Sequence, residues 1–403
     1  MNDHPETQPA SGNSSVSRLW ELVFLFLKLG TVSFGGPAAH IALIEAEIVR
    51  KRNWVTRQQF LDMLGAANLI PGPTSTEMAI NTGFVRAGWA GLCVAGASFI
   101  LPAALITGAF AWAYVSFGSL PQTASVLAGI KPAVIAVIAI AIWRLAKTAV
   151  KDIGLAVLGG LSLAAFFFGL NPIIILLGGG ALGMLARRTV RSAAAASLFA
   201  PLIRWNRSPS FTLAAATTAF IAGNVIIHPS TARIGLFFLK IGAVLYGGGY
   251  VLLAFLEHGL VQQHAWLTQQ QLLDAVAIGQ FTPGPVLSTA TFIGHLLGGA
   301  PGAAVATVGI FLPSFFYVAL LAPILFRLRK SAWIATFLDA VNVCALALMA
   351  GVTFRLGADA LRGWPSWVIA LVSWGVLVRW KISPAWVVLA GGIAGFFLAM
   401  FHL

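Results

Sequence analysis

The sequence FLKLGTVSFGG at residues 26–36 returns as FLKIGAVLYGG at residues 238–248. The correspondence continues without a gap at a constant offset of 212, and it ends with Pro71-Gly72-Pro73 matching Pro283-Gly284-Pro285. Apolar segments share Leu, Ala and Val through composition alone. Lys, Glu, Asp and Pro-Gly-Pro matched in one register instead indicate an internal duplication. The chain is therefore expected to contain two homologous halves.

The composition of the whole chain is typical of a membrane protein. Of its 403 residues, 59% are hydrophobic and 9% are charged, whereas a soluble domain carries about 25% charged residues. Lipid offers the backbone no hydrogen-bond partners, and the apolar runs lack strand-like alternation, so we expect an all-α polytopic integral membrane protein. The net charge of +13 comes from short basic clusters between apolar runs. This pattern predicts membrane orientation and no nucleic-acid binding.

The basic residues of the first half predict how it is oriented. The loop after the first apolar segment carries Arg50, Lys51, Arg52 and Arg57, whose counterparts in the second half are Gln or His. Because cytoplasmic loops are enriched in Lys and Arg, the first loop is expected in the cytoplasm and its counterpart outside. The two halves would then have inverted topology.

The remaining basic clusters favour re-entrant helices. All of them fall on the cytoplasmic side if segments 18–50 and 56–86 each break and return to the same face. An alternative, in which the broken segments cross completely, stays open at this point. The expected organisation is a disordered polar tail at 1–17, a first transporter repeat at 18–190, a basic cytoplasmic loop with an extra linking span at 191–232, and a second repeat at 233–403.

Four glycine- or proline-rich breaks predict the position of a binding site. A broken helix exposes N–H groups at its new N-terminus, and these groups attract anions. Inverted repeats with discontinuous helices are typical of secondary transporters, which bind their substrates where the half-helices end. Hydroxyl groups follow each Pro-Gly-Pro, and we expect Ser75, Thr76 and Ser288 to donate hydrogen bonds to an oxyanion. The breaks are Gly35-Gly36-Pro37, Pro71-Gly72-Pro73, Gly247-Gly248-Gly249 and Pro283-Gly284-Pro285.

Charged residues within apolar segments are further functional candidates. Lys28, Lys131 and Lys240 are expected to supply positive potential to the substrate site. Glu77 follows the first Pro-Gly-Pro and is the candidate for proton coupling, because burial favours the protonated form of a carboxyl group. His40 lies just after the first break and is a candidate for substrate binding or proton sensing.

Structural roles for several of these charged residues are equally open. Lys28 and Lys240 are long enough to reach a lipid interface, and Glu77 could simply pair with Arg86. Four acidic residues near the loops are expected to cap helices or to form interface pairs. These are Glu45, Glu257, Asp62 and Asp274.

Signatures of other protein classes are absent from the sequence. There is no P-loop that would indicate direct use of ATP, and no Cys/His cluster has the spacing of a metal site. Cys93 and Cys344 lie far apart in apolar segments and are expected to be small core residues. No nucleophile is accompanied by a base. We therefore expect no enzyme activity, no cofactor and no metal.

Several motifs resemble those of the chromate ion transporter family, in its long two-domain form. They are FGGPAAH at 34–40, LIPGP at 69–73, YGGG at 246–249 and FTPGP at 281–285. The resemblance extends from Trp20 almost to the end of the chain. It implies export of chromate from the bacterial cytoplasm across the inner membrane, driven by the proton motive force, with sulfate as a structural mimic. Asn68 and Glu77 depart from the pattern, since Gln is common at both places.

The sequence as a whole predicts a secondary transporter of a tetrahedral oxyanion, with its site between the broken helices of the two halves. A first alternative is a proton- or cation-coupled transporter of another substrate such as sulfate. A second alternative, from another class, is a membrane-embedded lipid-modifying enzyme. The expected partners are chromate or a sulfate-like oxyanion, protons and the lipid bilayer, and the oligomeric state is left open, with a homodimer as one option.

Overall fold

The computed structural model describes residues 15–34, 36–118, 121–191, 229–246, 249–321, 332–380 and 382–400, and every regular element in these ranges is helical. Within these ranges, four helices are long and apolar enough to cross a membrane. The prediction of an all-α polytopic protein is confirmed. The helices are α1 Ser15–Val32, α2 Pro37–Glu45, α3 Arg57–Ala67, α4 Thr74–Phe117, α5 Pro121–Ala149, α6 Ile153–Phe167, α7 Pro172–Arg191, α8 Thr231–Val244, α9 Leu252–Leu256, α10 Gln269–Phe281, α11 Thr289–Leu321, α12 Ala332–Ala360, α13 Trp364–Arg379 and α14 Pro384–Met400.

The backbone repeats the duplication seen in the sequence. Helices α2 and α9 each continue into a π-helix, Ala46–Lys51 in the first half and Glu257–Gln263 in the second. Asn53 and Ala265, which are matched in the repeat, have left-handed φ angles of 51° and 50°. Because π-helices and left-handed non-glycine residues are both uncommon, their recurrence at matched positions indicates that the two halves have the same local fold.

Helices α4 and α11 are each two legs joined by a sharp turn. The turn in α4 lies at Gly88, with a φ of 62°, and Gly299 repeats it in α11 with the same angle. A Cβ atom added to Gly83 would lie 2.2 Å from the carbonyl oxygen of Gly91. In a straight helix, residues eight positions apart are separated by about 12 Å along the axis. The two legs of α4 therefore pack against each other as a hairpin.

The broken segments of the first half return to the face from which they start. Arg86, at the end of the first leg of α4, donates to Glu21 near the start of α1 at 2.8 Å. The ring of Trp54, in the loop before α3, contacts the guanidinium groups of both Arg86 and Arg52. These contacts place both ends of segments 18–50 and 56–86 on one face. This is the arrangement that re-entrant helices require.

Matched helices run in opposite directions, which is the geometry of an inverted repeat. Helix α5 corresponds to α12, and the two pack against each other. Lys151, just after the end of α5, forms an ion pair at 2.7 Å with Asp339, near the start of α12. The end of one helix therefore lies beside the beginning of its counterpart. This arrangement agrees with the inverted topology that the basic residues predict.

The outer helices of each half, which are its last two, pack mainly against a long helix of the other half. Helices α6 and α7 of the first half pack on α12 of the second, and α13 and α14 of the second half pack on α5 of the first. Close packing is possible because small residues meet: a Cβ atom on Gly129 would lie 2.1 Å from the carbonyl oxygen of Gly391. Neither half therefore forms a compact unit from its own helices alone.

The predicted boundaries differ from the structure at the amino-terminal tail. Helix α1 begins at Ser15, so the last three residues of the predicted tail, 15–17, are helical. Residues 1–14, the predicted extra span near 211–228, and three predicted site residues lie outside the described residues. Those three are Gly35, Gly247 and Gly248.

Matched cysteine labels are expected to report opposite faces of the membrane. Arg57 and Gln269 are counterparts in the repeat. In a variant lacking Cys93 and Cys344, Arg57→Cys should react with an impermeant thiol reagent from the cytoplasmic side. Gln269→Cys should react only from the other side, because the halves are inverted. Labelling of both residues from one side would contradict the inverted arrangement.

Candidate functional site

The Pro-Gly-Pro loop of each half is hydrogen-bonded to the break of the other half. The Gly72 N–H donates to the carbonyl oxygen of Leu245 at 2.8 Å, and the Gly284 N–H donates to that of Ser33, also at 2.8 Å. Leu245 and Ser33 are themselves counterparts in the repeat, so the two bonds are related by the internal symmetry. Gly72 has a φ of 147° and Gly284 a φ of 90°, conformations that favour glycine. The breaks of both halves therefore meet at one centre.

Helices that begin at this centre lack the caps found on helices that begin in the loops. Helices α3 and α10 start with complete capping boxes formed by Thr56 and Thr268. Helix α2 follows Gly36, and α4 follows Pro73, and neither N-terminus has a side-chain cap. Uncapped N-termini present N–H groups and the positive end of the helix dipole. This chemistry suits an anion.

A small polar cavity lies between the first break and the second Pro-Gly-Pro loop. Its lining includes Ser33, Gly36, Gln280, Thr282 and Gly284. The Ser33 hydroxyl and the Gln280 amide nitrogen are buried and have no hydrogen-bond partner among the described residues. The cavity has a volume of about 10 Å³, which is room for about one water molecule. In this conformation the centre is closed to any larger ligand.

The first Pro-Gly-Pro loop carries an acid that the second lacks. Glu77 is fully buried, and a Cβ atom on Gly72 would lie 2.4 Å from its Oε1 atom and 2.5 Å from the Ser314 hydroxyl. Both carboxylate oxygens of Glu77 and the hydroxyls of Thr76 and Ser314 are without hydrogen-bond partners in the described part of the chain. This cluster of unsatisfied buried groups is unusual, since buried polar atoms are normally paired.

Polar groups beside the second loop are satisfied instead. The Thr107 hydroxyl donates to the Ser288 hydroxyl at 3.2 Å, and the Thr289 hydroxyl donates to a backbone carbonyl at 2.8 Å. Thr289 is the counterpart of Glu77, and Ala103, the counterpart of Ser314, packs against Gly284. The two loops thus share a backbone geometry but differ in chemistry.

Comparison with known proteins identifies the family. A family model described as chromate transporter matches residues 20–184 and again residues 232–396.

The chain belongs to the chromate transporter family.

Relatives of similar length agree with this assignment. The chain is 34% identical to a probable chromate transport protein of Synechococcus elongatus, over 91% of each chain. It is 34% identical to the chromate transport protein of Cupriavidus metallidurans, over 93% of this chain and 91% of the relative. It is 30% identical to that of Pseudomonas aeruginosa, over the same shares. No solved structure matches the chain. The resemblance found in the motifs is confirmed, and the family indicates a membrane transporter and not an enzyme.

His40 is hydrogen-bonded to the backbone of the first break in this member of the chromate transporter family. Its Nε2 donates to the Ser33 carbonyl at 3.1 Å, so that carbonyl accepts from both His40 and Gly284. The ring packs edge-on against Phe99, and its Nδ1 atom is buried without a partner in the described ranges. A role of His40 in substrate binding or proton sensing stays a prediction.

The three predicted lysines do not meet at the centre. Lys28 pairs with Glu47 at 3.3 Å and its side chain is 59% exposed, and Lys240 is also exposed. Lys131 is buried and forms an ion pair with Asp274 at 2.9 Å. Asp274 also accepts a hydrogen bond from Tyr114 at 2.9 Å. Positive potential from these lysines at the substrate site stays a prediction, and the charge of Lys131 is already balanced.

Three of the four loop acids, Glu45, Glu257 and Asp274, form ion pairs, and Asp62 accepts a hydrogen bond from Gln58 at 3.2 Å. Glu45 contacts Arg50 at 3.5 Å, and Glu257 contacts Arg355 at 3.2 Å. At Glu47, the hydrogen bond from Lys51 and the nearby charge of Lys28 hold the pKa of the carboxyl below its usual value. Glu77 is not the partner of Arg86, which pairs with Glu21.

The remaining predicted residues lie at the centre. Ser75 and Thr76 occupy the buried first turn of α4, while Pro71, Pro73, Pro283 and Pro285 form the two loops and Pro37 begins α2. Gln280 was not among the predicted residues. A signal for it was present, because its counterpart Asn68 also carries a carboxamide just before Pro-Gly-Pro. Among the described residues, no group of three His, Cys, Asp or Glu side chains could hold a metal ion.

Proposed function

We propose that this chain exports chromate, a tetrahedral oxyanion, from the bacterial cytoplasm across the inner membrane, and so confers chromate resistance. The relatives in Cupriavidus metallidurans and Pseudomonas aeruginosa are named chromate transport proteins. The observation that carries the proposal is the reciprocal pairing of Gly72 with Leu245 and of Gly284 with Ser33. This pairing brings uncapped helix N-termini together between two inverted halves, where secondary transporters bind their substrates.

The small polar cavity is the proposed anion site. It offers hydrogen-bond donors from Ser33 and Gln280, beside the N-terminus of α2 that follows Gly36. Donors and helix N-termini stabilise an oxyanion and do not stabilise a metal cation. Since the cavity holds about one water molecule, binding of chromate requires the first break and the second Pro-Gly-Pro loop to move apart.

Glu77 is the proposed proton carrier. Burial of an ionised carboxylate without partners is costly, and both oxygens of Glu77 lack partners among the described residues. Glu77 would therefore hold a proton while the centre is closed and release it when water enters. The Glu77 carboxylate lies directly beside Gly72, whose N–H donates to Leu245. Loss or gain of the proton at Glu77 would therefore be coupled to movement of this loop.

Transport by inside-out membrane vesicles tests the substrate. With a proton gradient imposed, labelled chromate should accumulate with saturable kinetics, and sulfate should compete with it because the two oxyanions share shape and charge. Vesicles from cells without the protein provide the baseline. Saturable uptake of a cation with no chromate signal would contradict the proposal, and accumulation of sulfate alone would replace chromate by sulfate as substrate.

Glu77→Gln is expected to uncouple transport from the proton gradient. Uptake of chromate should lose its response to the gradient, while exchange of chromate for chromate across the membrane should persist, because the anion site is intact. Asp359→Asn is a suitable control, since this carboxylate pairs with Arg362 at the surface. A Glu77→Gln variant with a normal response to the gradient would exclude Glu77 as the carrier.

A further inference from the structure

The repeat contains a pair of oppositely charged residues that is identical in both halves. Glu45 corresponds to Glu257, and Arg144 corresponds to Arg355, within the matched sequences WRL at 143–145 and FRL at 354–356. Each glutamate lies at the end of a broken segment, and each arginine lies in the long helix α5 or α12. Because the paired residues are the same, a difference between the two pairs does not come from the chemistry of the pair itself.

The pair of the second half is formed. The Arg355 guanidinium lies 3.2 Å from the Glu257 carboxylate, and the Glu257 side chain is 3% exposed. Gln262 donates to the same carboxylate oxygen at 2.6 Å. The guanidinium also packs over the ring of Phe166 at 4.5 Å. This pair ties the second broken segment of the chain to α12.

The pair of the first half is not formed. Glu45 contacts only its local partner Arg50 in the ion pairs described, and its side chain is 23% exposed. Arg144 donates to the backbone carbonyl of Leu377 in α13 at 3.2 Å. The contact between Glu45 and Arg50 matches that between Glu257 and Gln262, since Arg50 and Gln262 are counterparts. What the first half lacks is therefore the long-range partner alone.

Helix packing shows the same difference between the halves. Helix α10 packs against α5 and α14, whereas α3, its counterpart, has no comparable packing on α12 and α7 in the described ranges. Asp274 in α10 is 2% exposed, while its counterpart Asp62 in α3 is only partly buried. The broken segment of the second half therefore packs closely against the long helices, whereas the broken segment of the first half does not.

We infer that Glu45 and Arg144 form the missing ion pair when the transporter changes state, while the pair of Glu257 and Arg355 opens. The inference rests on the proposed transport function, because inverted repeats provide alternating access when the two halves exchange conformations. The basic loop places Glu45 on the cytoplasmic side. The structure is then the cytoplasm-facing conformation, with the broken segment of its first half away from the long helices and its small polar cavity still closed.

A second buried pair distinguishes the two halves. Lys131 and Asp274 join α5 to α10 at 2.9 Å in this conformation. The counterpart of Lys131 is Asn342, and that of Asp274 is Asp62, so no equivalent ion pair can form in the first half. The cytoplasm-facing conformation therefore contains a buried ion pair for which the exchanged conformation has no equivalent in the first half.

Charge reversal tests the pairing of residues that are apart in this structure. Glu45→Arg should lower the rate of chromate uptake by about tenfold, because like charges would disfavour one state. Adding Arg144→Glu should restore most of the rate, whereas adding Arg50→Glu, a change at the local partner, should not. The amount of protein in the membrane must be equal in all variants. Equal rescue by both second changes, or no rescue by Arg144→Glu, would overturn the inference.

Cross-linking tests the same inference without relying on chromate. In a variant lacking Cys93 and Cys344, a short bifunctional reagent should join the thiols introduced by Glu45→Cys and Arg144→Cys. It should also join those introduced by Glu257→Cys and Arg355→Cys in a second variant. In a variant that carries all four substitutions, formation of one cross-link should prevent formation of the other. Failure of the pair at 45 and 144 to cross-link would overturn the inference. Cross-linking as expected in a protein that moves no chromate would refute the proposed substrate and leave the exchange intact.

Discussion

Replacing Gly72 with leucine is expected to abolish chromate uptake and chromate resistance while the protein still inserts into the membrane. The φ of 147° disfavours any side chain, at a cost of about 1–3 kcal/mol. A Cβ atom would lie 2.4 Å from Glu77 and 2.5 Å from Ser314, and such overpacking costs about 1–3 kcal/mol more. The loop would have to move, and its hydrogen bond to Leu245 in the other half would be lost.

Gly160→Leu is the matched control for this change. Gly160 lies in α6, and no atom would lie within 4 Å of an added Cβ. Its uptake should equal that of the unmodified protein, since leucine has open space there. Uptake of labelled chromate by cells, normalised to the protein in the membrane, distinguishes the two variants. Normal uptake by Gly72→Leu would remove this loop from the site.

Asp274→Ala is expected to be the most destabilising substitution of a single charged residue. It leaves Lys131 buried without its partner and removes the acceptor of Tyr114. Removing one member of a buried ion pair costs about 3–5 kcal/mol, because the remaining charge is not compensated. The thermal midpoint of the detergent-solubilised protein should fall clearly, and the fall should exceed that of any surface acid replaced by alanine.

The counterpart residue and a double variant complete this experiment. Asp62→Ala, at the matched position, should have a smaller effect, because Asp62 is only partly buried, whereas Asp274 is 2% exposed. The double variant Lys131→Met/Asp274→Leu should regain most of the lost stability, since apolar residues can replace a buried ion pair. If Asp62→Ala and Asp274→Ala shift the thermal midpoint equally, the buried pair does not stabilise the fold.

Local features of the sequence predict where the helices break and how they are oriented. Glycine and proline act on their own backbone, so the breaks at Gly36 and Gly72 are visible without knowledge of the tertiary structure. The matched register carries the same prediction into the second half. Basic residues such as Arg52 report the cytoplasmic face through composition alone. These signals suffice for the inverted, re-entrant architecture.

Long-range partners could not be predicted, because they depend on how the two halves interlock. Nothing near Lys131 in the sequence points to Asp274, and the chemistry of a buried lysine is the same whether or not an acid lies beside it. Gln280 faces the cavity only because the second loop meets the first break. Lys28 and Lys240 have side chains long enough to leave the apolar interior, and both are exposed.

The exchange of outer helices between the halves has a consequence for biosynthesis. Helices α6 and α7 emerge from the ribosome before α12, the helix on which they pack, has been made. Likewise, α5 is synthesised well before α13 and α14, the last helices to be translated, which pack on it. Until then α5, α6 and α7 must remain in the lipid as loosely associated spans, open to quality-control proteases. A chain truncated after α11 would lack α12, α13 and α14, the helices against which α5, α6 and α7 pack.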